Sequence, residues 1–251
     1  MGSGMSFQHR LYAQMYDKFH DSRNVNVEIE NLLLKIKNHM ILTPQSWGLD
    51  YGCGTGLHAK EMLRKGYQIL LMDQSDSMLE VATQRVGKSY IYDESIHNEV
   101  KFDFIYSLFD VVSYQTTHSE LKAFVNSAGK LIKPGGLFIF DGWYLPGYIK
   151  SPPRETVRSF NWESRKYLRK VKPLSIDKDG LSNLEISIIE EDTNRLIFTE
   201  NHLLKAYAQK EIEKVVSQFE FDVIEWRDGS DWTSDIKDES WRFFCVSRRC
   251  V

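Results

Sequence analysis

Cysteine is scarce in this chain: Cys53, Cys245 and Cys250 are the only three. Thiols so scattered form neither a disulfide framework nor a zinc knuckle. Cys53, inside a glycine-rich loop, reads as packing and not as a nucleophile. No apolar run approaches the roughly 20 residues that span a bilayer, so no membrane partner is expected. Charge of one sign is also missing. Lys and Arg total 32 against 35 Asp and Glu, a net −3, whereas nucleic-acid binders usually carry a basic surplus. The histidines (His9, His20, His39, His58, His97, His118 and His202) lack paired ligand spacing, and no metal is expected. Repeats and low-complexity segments are absent. What is present is 42% hydrophobic and 13% aromatic, enough for a substantial core. Its 251 residues suit one large α/β domain with an elaboration, or two small domains. Met1-Gly2-Ser3-Gly4 reads as an expression remnant. A soluble, cytoplasmic enzyme, monomer or homodimer, fits these bounds.

The chain is organised around Leu49-Asp50-Tyr51-Gly52-Cys53-Gly54-Thr55-Gly56. This follows a short apolar segment from Trp47 and opens directly into a helical pattern from Leu57 to Leu63. Glycines let backbone approach a ligand with no Cβ in the way, and the free N–H groups of the next helix then face that ligand. The G-x-G-x-G spacing is tighter than the dinucleotide fingerprint. The next strand, Gln68 to Met72, ends on Asp73. In a doubly wound sheet an acid there accepts hydrogen bonds from ribose hydroxyls. The separation from Gly56 to Asp73 is one helix plus one strand, as a βαβ unit requires.

These two pieces, "LDYGCGTG" and "LLMDQSDSML", resemble motifs I and II of the class I S-adenosylmethionine (SAM)-dependent methyltransferases. The resemblance implies an α/β fold with a doubly wound, seven-stranded, mostly parallel sheet, and SAM as cofactor. It implies cofactor contacts from Tyr16, Asp50, Gly52, Gly54, Gly56, Asp73, Gln74, Met78, Asp93, Glu94, Ser107 and Leu108. Gln74 departs from the usual motif.

Taken in order, residues 6–20 read as an amphipathic helix, with Phe7 and Phe19 packing in the core. Its Tyr12-Ala13-Gln14-Met15-Tyr16-Asp17 resembles the Y-x-x-x-Y-D start of small-molecule methyltransferases, which implies a lid with Tyr12 and Tyr16 above the methionyl group or the acceptor. A second helix over 26–42 is expected to start at an Asn26 cap. Ser75 is expected to cap the helix after Asp73. Ser89 to Tyr92 reads as a short third strand followed by Asp93, Phe102 to Phe109 as a fourth, and Thr117-His118-Ser119-Glu120 as a capping box. Lys133-Pro134-Gly135-Gly136 should stop that helix before a fifth strand, Leu137 to Phe140; "KPGGLFIFD" again resembles class I methyltransferases. Residues 146–204 alternate with strand period and contain an Asp179-Gly180 turn, so an antiparallel β insertion covering the substrate is expected after strand five. The core would then comprise 5–145 with its lid helices, and 205–251 would supply a helix over 206–219 and a closing antiparallel pair.

The whole order resembles the methyltransferases that N-methylate nucleotide-linked aminosugars in deoxysugar pathways. That resemblance places Tyr114 at the acceptor amine, Arg242 at the substrate's diphosphate, and Trp143 and Tyr144 beside the substrate with Tyr12. The acceptor is thus a small molecule, of a class that includes anions. Asp110 stands beside the reaction loop, either to hold an ammonium or to act as base. Methyl transfer to a hydroxyl is the alternative and calls for a base such as His118 or Asp110. A catalytically silent SAM-binding module is a further alternative. An RNA or protein methyltransferase would need a basic patch or an N/D-P-P-Y-type loop, and the chain has neither.

Overall fold

The structure is a computed structural model that describes residues 3–21 and 23–251, with side chains from Arg10 onward. The expected packing of Phe7 therefore falls on a side chain outside the described residues. Helices α1 (Ser3–Phe19) and α2 (Val25–His39) lead into β1 (Trp47–Tyr51), α3 (Leu57–Arg64), β2 (Gln68–Met72) and α4 (Asp76–Val86). A short α5 (Glu94–His97) precedes β3 (Phe102–Ser107), α6 (His118–Leu131) and β4 (Ile132–Trp143). After α7 (Leu145–Lys150) come β5 (Thr156–Trp162), β6 (Arg165–Ile176), β7 (Leu181–Glu190) and β8 (Arg195–Lys205). Helix α8 (Gln209–Ser217), β9 (Phe221–Asp228) and β10 (Arg242–Arg249) complete the described chain.

The main sheet has six strands in the order β2-β1-β3-β4-β10-β9. The first four are parallel, and β10 runs antiparallel to both β4 and β9. Near-continuous apolar runs such as Ile69–Leu71 and Leu137–Phe140 are buried on both faces, as parallel strands covered by helices must be. Helices α2, α3 and α4 cover one face, and α6 and α8 cover the other. The chain goes from β1 to β2 on one side and reaches β3 on the other. The crevice at the carboxyl ends of β1 and β3 is therefore the topological switch point, where ligands of such sheets bind.

A separate four-stranded antiparallel sheet, β5-β6-β7-β8, follows β4 in sequence. Its inner face packs Phe160, Tyr167, Leu184, Ile186, Ile188 and Phe198 against Tyr12, Met15 and Phe19 of α1. Gly180, with φ +95°, makes the expected turn into β7.

Three expectations change. The main sheet has six strands, not seven: Lys88–Tyr90 is a 3-10 turn, and Ile91 makes a single bridge to Leu71. Tyr90 is exposed and Ile91 and Tyr92 are only half-buried, and Asp93 immediately caps α5, so too little apolar chain remains to extend the pairing. The α2 cap is Asn24, whose side chain accepts from Val27 N–H, and not Asn26. Lys133 to Gly136 lies inside β4 as a bulge opposite β3, because pairing begins at Ile132 and resumes at Leu137. The Ser75 cap and the Thr117–Glu120 capping box form as read.

One buried ionic cluster joins α2 to β9. Lys35 and Glu225, 8% and 9% exposed, are paired. His39 Nε2 is 2.8 Å from the same carboxylate, and Arg227 Nε donates to it at 2.8 Å. Burial opposes ionisation of Glu225, but these three partners overcome it and hold its pKa at about 2, against an ordinary 4.5. Glu225→Gln leaves Lys35 uncompensated and is expected to cost roughly 3 kcal/mol, read as a lower urea midpoint. Because the folded pKa is the lower one, the wild-type contribution is present above pH 4.5 and is lost as pH falls towards 2.

Candidate active site

A cavity of about 850 Å³ opens at the carboxyl ends of β1, β2 and β3. That lies near the upper end of the roughly 300–1,000 Å³ typical of ligand pockets, so a nucleoside-sized molecule and a second small ligand both have room. Its floor is Tyr51 to Thr55 and Met72 to Ser75; Tyr12 and Tyr16 of α1 and Thr199 to His202 of β8 form the opposite wall.

The floor is built by the glycine loop. Gly52 and Cys53 N–H both donate to Met72 C=O, at 2.7 and 3.0 Å, which ties the loop to β2. Gly52 has φ +83°, and a Cβ there would meet the Val111 side chain at 2.6 Å. Gly54 has φ +53°, and a Cβ there would meet nothing within 4 Å, so its backbone lies bare at the cavity. The Asp73 carboxylate fixes both ends of the floor. Its Oδ2 accepts from Gly54 N–H and its Oδ1 from Ser75 N–H, each at 2.8 Å. Burial raises the Asp73 pKa while these amides lower it. Each oxygen retains a further lone pair for a ligand hydroxyl.

The lid helix is tied to the same loop. Asp17 accepts from the Thr55 hydroxyl at 2.6 Å and pairs with Arg85 of α4. On the same helix Tyr12 and Tyr16, one turn apart, stack edge to face with ring centroids 5.8 Å apart. Tyr16 also meets Phe109 at 6.5 Å. Burial pushes the Tyr12 pKa up to about 12 and raises that of Tyr16 further. Both are neutral phenols at physiological pH.

The loop after β3 carries backbone strain, with Phe109 at φ 71° and Asp110 at φ 65°, a region that costs non-glycine residues energy and recurs at ligand sites. Several contacts hold it. Asp110 N–H donates to Asp141 at 2.9 Å, Arg242 grips the Asp110 carboxylate through Nε and Nη2, and the Arg23 guanidinium lies 3.8 Å over the Phe109 ring. Burial lifts the Asp141 carboxyl to about 7, against the pull of Arg242.

Gly52, Gly54, Asp73, Gln74, Met78, Leu108, Tyr12, Tyr16 and Tyr114 all line the cavity. The other expected site residues do not. Gly56 caps α3 beside Leu71 and Ala82. Asp50 is 1% exposed within β1, and burial lifts its carboxyl to about 8. Ser107 is buried and donates to Tyr51 C=O at 2.5 Å. Asp93 and Glu94 are exposed at the start of α5, where Asp93 caps the helix by accepting from Ser95 N–H. His118 is exposed on α6. Asp110 and Arg242 pair with each other behind the wall. Trp143 and Tyr144 are buried because β4 runs on through Trp143, paired with Arg242 of β10, so neither sits on a loop.

Several cavity residues escaped the sequence reading, and two of them lie beside Tyr114. His202 and Glu200 lie on β8, and His202 Nδ1 is 2.9 Å from the Tyr114 hydroxyl. Alternation along β8 signals a strand, but nothing local says which face meets a cavity 88 residues after Tyr114 in the chain.

The donor set fits SAM: a bare glycine backbone, a carboxylate with lone pairs to spare at the second strand tip, and an aromatic lid tied to the loop. A methyltransferase-domain family model matches residues 49–140. The chain is similar to the dTDP-3-amino-3,4,6-trideoxy-alpha-D-glucopyranose N,N-dimethyltransferase of Streptomyces venezuelae, 24% identical over 80% of this chain and 86% of that one. It is also similar to the dTDP-4-amino-2,3,4,6-tetradeoxy-D-glucose N,N-dimethyltransferase of Saccharopolyspora spinosa, 26% identical over 54% and 55% of the two chains. In fold it is similar to a SAM-dependent methyltransferase from Clostridium acetobutylicum, with TM-score 0.75 and 21% identity over 96% and 98% of the chains. Streptomyces venezuelae DesVI gives TM-score 0.74 and 21% identity over 95% and 98%. Residues 49–140 form a methyltransferase domain of the class I fold, and the protein is an S-adenosylmethionine-dependent methyltransferase.

Proposed function

We propose that the enzyme methylates the amino group of a small anionic acceptor, an aminosugar carried on a nucleotide diphosphate. The observation that carries this reading is the continuity of one cavity from the glycine loop to Tyr12, Tyr16, Tyr114 and His202, so cofactor and acceptor share a wall of neutral hydroxyls. The two sugar N,N-dimethyltransferases named above support the amine. A hydroxyl acceptor needs a base, and the two candidates are poorly placed for it: His118 is exposed on α6 and the Asp110 carboxylate is held by Arg242.

SAM, when bound, supplies an activated methyl group on a sulfonium. The chain does the rest. Asp73 and the Gly54 backbone hold the adenosine end, with Met78 at its side. Tyr12 and Tyr16 close over the reacting groups and exclude water. Tyr114 orients the amine, which needs only to arrive unprotonated and in line. The β5–β8 sheet covers the acceptor.

An anionic acceptor suits the field at this wall. Burial, and after it Arg169, Arg23, Arg158 and Arg242, push the His20 pKa down to about 3, so several guanidinium groups stand near this end of α1. Arg169 Nε is buried with no hydrogen-bond partner among the described residues. Arg169 stands behind Tyr12, to which it is hydrogen-bonded, so Arg169→Ala is expected to raise the acceptor KM several-fold by weakening the positive field and the hold on Tyr12, with S-adenosylhomocysteine affinity unchanged. Transfer of labelled methyl from SAM to nucleotide-linked aminosugars, run beside the matching hydroxyl sugars, tests the reading. Label on the amines supports it; label on the hydroxyl sugars alone overturns it.

A further inference from the structure

Tyr114 does not stand alone at the acceptor end of the cavity. It is 43% exposed and lies in the cavity wall, where its hydroxyl oxygen is 2.9 Å from His202 Nδ1. The other imidazole nitrogen, Nε2, is buried and makes no hydrogen bond among the described residues, and its nearest acidic neighbour is Glu200 Oε2 at 3.5 Å, with the two side chains 12% and 10% exposed. The remaining groups that face His202 are few. Tyr12 of α1 lies with its ring 5.5 Å away, and the apolar Leu184 is its partner on β7. Tyr16, Arg169 and Asp110 act on Tyr12 and Tyr114 from one contact further out.

A neutral imidazole carries one N–H and one lone pair, and a carboxylate only accepts. The N–H therefore belongs on Nε2, facing Glu200, and the lone pair on Nδ1, facing Tyr114. The phenol then donates its own proton to Nδ1. Its oxygen lone pairs turn towards the cavity.

We infer that His202 is a positioning residue that fixes the Tyr114 hydroxyl as a hydrogen-bond acceptor, so that it takes an N–H of the incoming amine and leaves the amine lone pair aimed at the methyl group. The inference takes its acceptor from the reading above, whereas its geometry is independent of that reading. It also explains why a phenol serves here. Although the residue as a whole is 43% exposed, desolvation of its hydroxyl within the cavity wall, with Tyr12, Tyr16 and Asp110 nearby, holds the Tyr114 pKa well above its ordinary value, so the group stays neutral and acts by direction, not by removing a proton.

The test has two arms. In the first, imidazole nitrogen NMR of the S-adenosylhomocysteine complex reads the His202 tautomer with no acceptor present. The N–H is expected on Nε2, and Tyr114→Phe is expected to shift the Nδ1 resonance alone as its hydrogen bond is lost. An N–H on Nδ1 overturns the inference. In the second arm, His202→Ala and His202→Asn are compared by kcat, after matched thermal melts and S-adenosylhomocysteine affinities. His202→Ala is expected to lower kcat by roughly 10²-fold, the cost of a misplaced reactant, with cofactor affinity kept within about twofold. Asn keeps a carbonyl acceptor near the place of Nδ1. His202→Asn is expected to recover most of that loss. Two folded variants that keep the wild-type kcat, or that lose it equally, overturn the inference. A chain that methylates no amine yet shows the Nε2–H tautomer refutes the acceptor reading and leaves the direction of the Tyr114–His202 bond standing.

Discussion

Asp73→Ala is expected to weaken S-adenosylhomocysteine binding by about 2–3 kcal/mol, roughly 30- to 150-fold, with kcat at saturating cofactor much less affected. Asp73 closes β2 and does two things at once. Its carboxylate accepts the Gly54 and Ser75 amides, which sets the shape of the glycine loop and the start of α4. The lone pairs that remain face the cavity, where the ribose hydroxyls of a bound nucleoside are held. Removal therefore costs direct hydrogen bonds to the cofactor and leaves two backbone donors to find water. The loop keeps its anchor through the Gly52 and Cys53 bonds to Met72, so the fold is expected to survive. Asp73→Asn separates the two roles. Its amide preserves size and one acceptor oxygen, so the loop is largely retained while one ribose contact is lost, and an intermediate affinity is expected. Isothermal titration of the three proteins checks this order.

Gly54→Val is expected to abolish cofactor binding, by at least about 100-fold, while leaving a folded protein. The reasoning rests on two facts about one residue. Nothing lies within 4 Å of the Cβ position, so no protein atom is struck and the core is undisturbed. The backbone sits at φ +53°, where an L-residue costs about 1–2 kcal/mol, a sum that a chain of this size tolerates. The new side chain instead projects from a loop that lines the cavity and occupies the space where a ligand meets bare backbone. Gly147 gives the opposite case. A Cβ there would lie 2.0 Å from the Ser240 carbonyl oxygen, so substitution breaks the fold far from the cavity. The thermal melt distinguishes the two sites.

The glycine-loop end of the cavity was legible in the sequence where its devices are local, although Asp50, Gly56, Asp93, Glu94 and Ser107, expected there too, do not line it. The glycines of the loop, the acid one helix and one strand later, the Ser75 cap and the Thr117–Glu120 box depend on residues within a few positions of one another. The reading diverged most where the site depends on contacts between distant parts of the chain, at the acceptor end above all. Trp143 and Tyr144 look like a loop after a strand, but β10 pairs with that strand through Trp143 and buries both. Asp110 looks like a base beside the reaction loop, but Arg242, 132 residues on, takes its carboxylate to hold a strained turn. Asp93 follows a segment that reads as a strand, but the segment is too short and too exposed to extend the sheet, and the acid caps a helix instead. His202 and Glu200 gave no signal at all. They reach the cavity only because the antiparallel sheet packs β8 against α1.

Calorimetric titration of S-adenosylhomocysteine into the wild-type protein and Gly54→Val, at equal folded fraction, tests most directly whether the glycine-loop cavity is where the cofactor is held. The expected result is one saturable site in the wild type and no detectable heat in the variant. Equal binding by both proteins, or none by the wild type at saturating ligand, would contradict that placement and every residue role assigned around it.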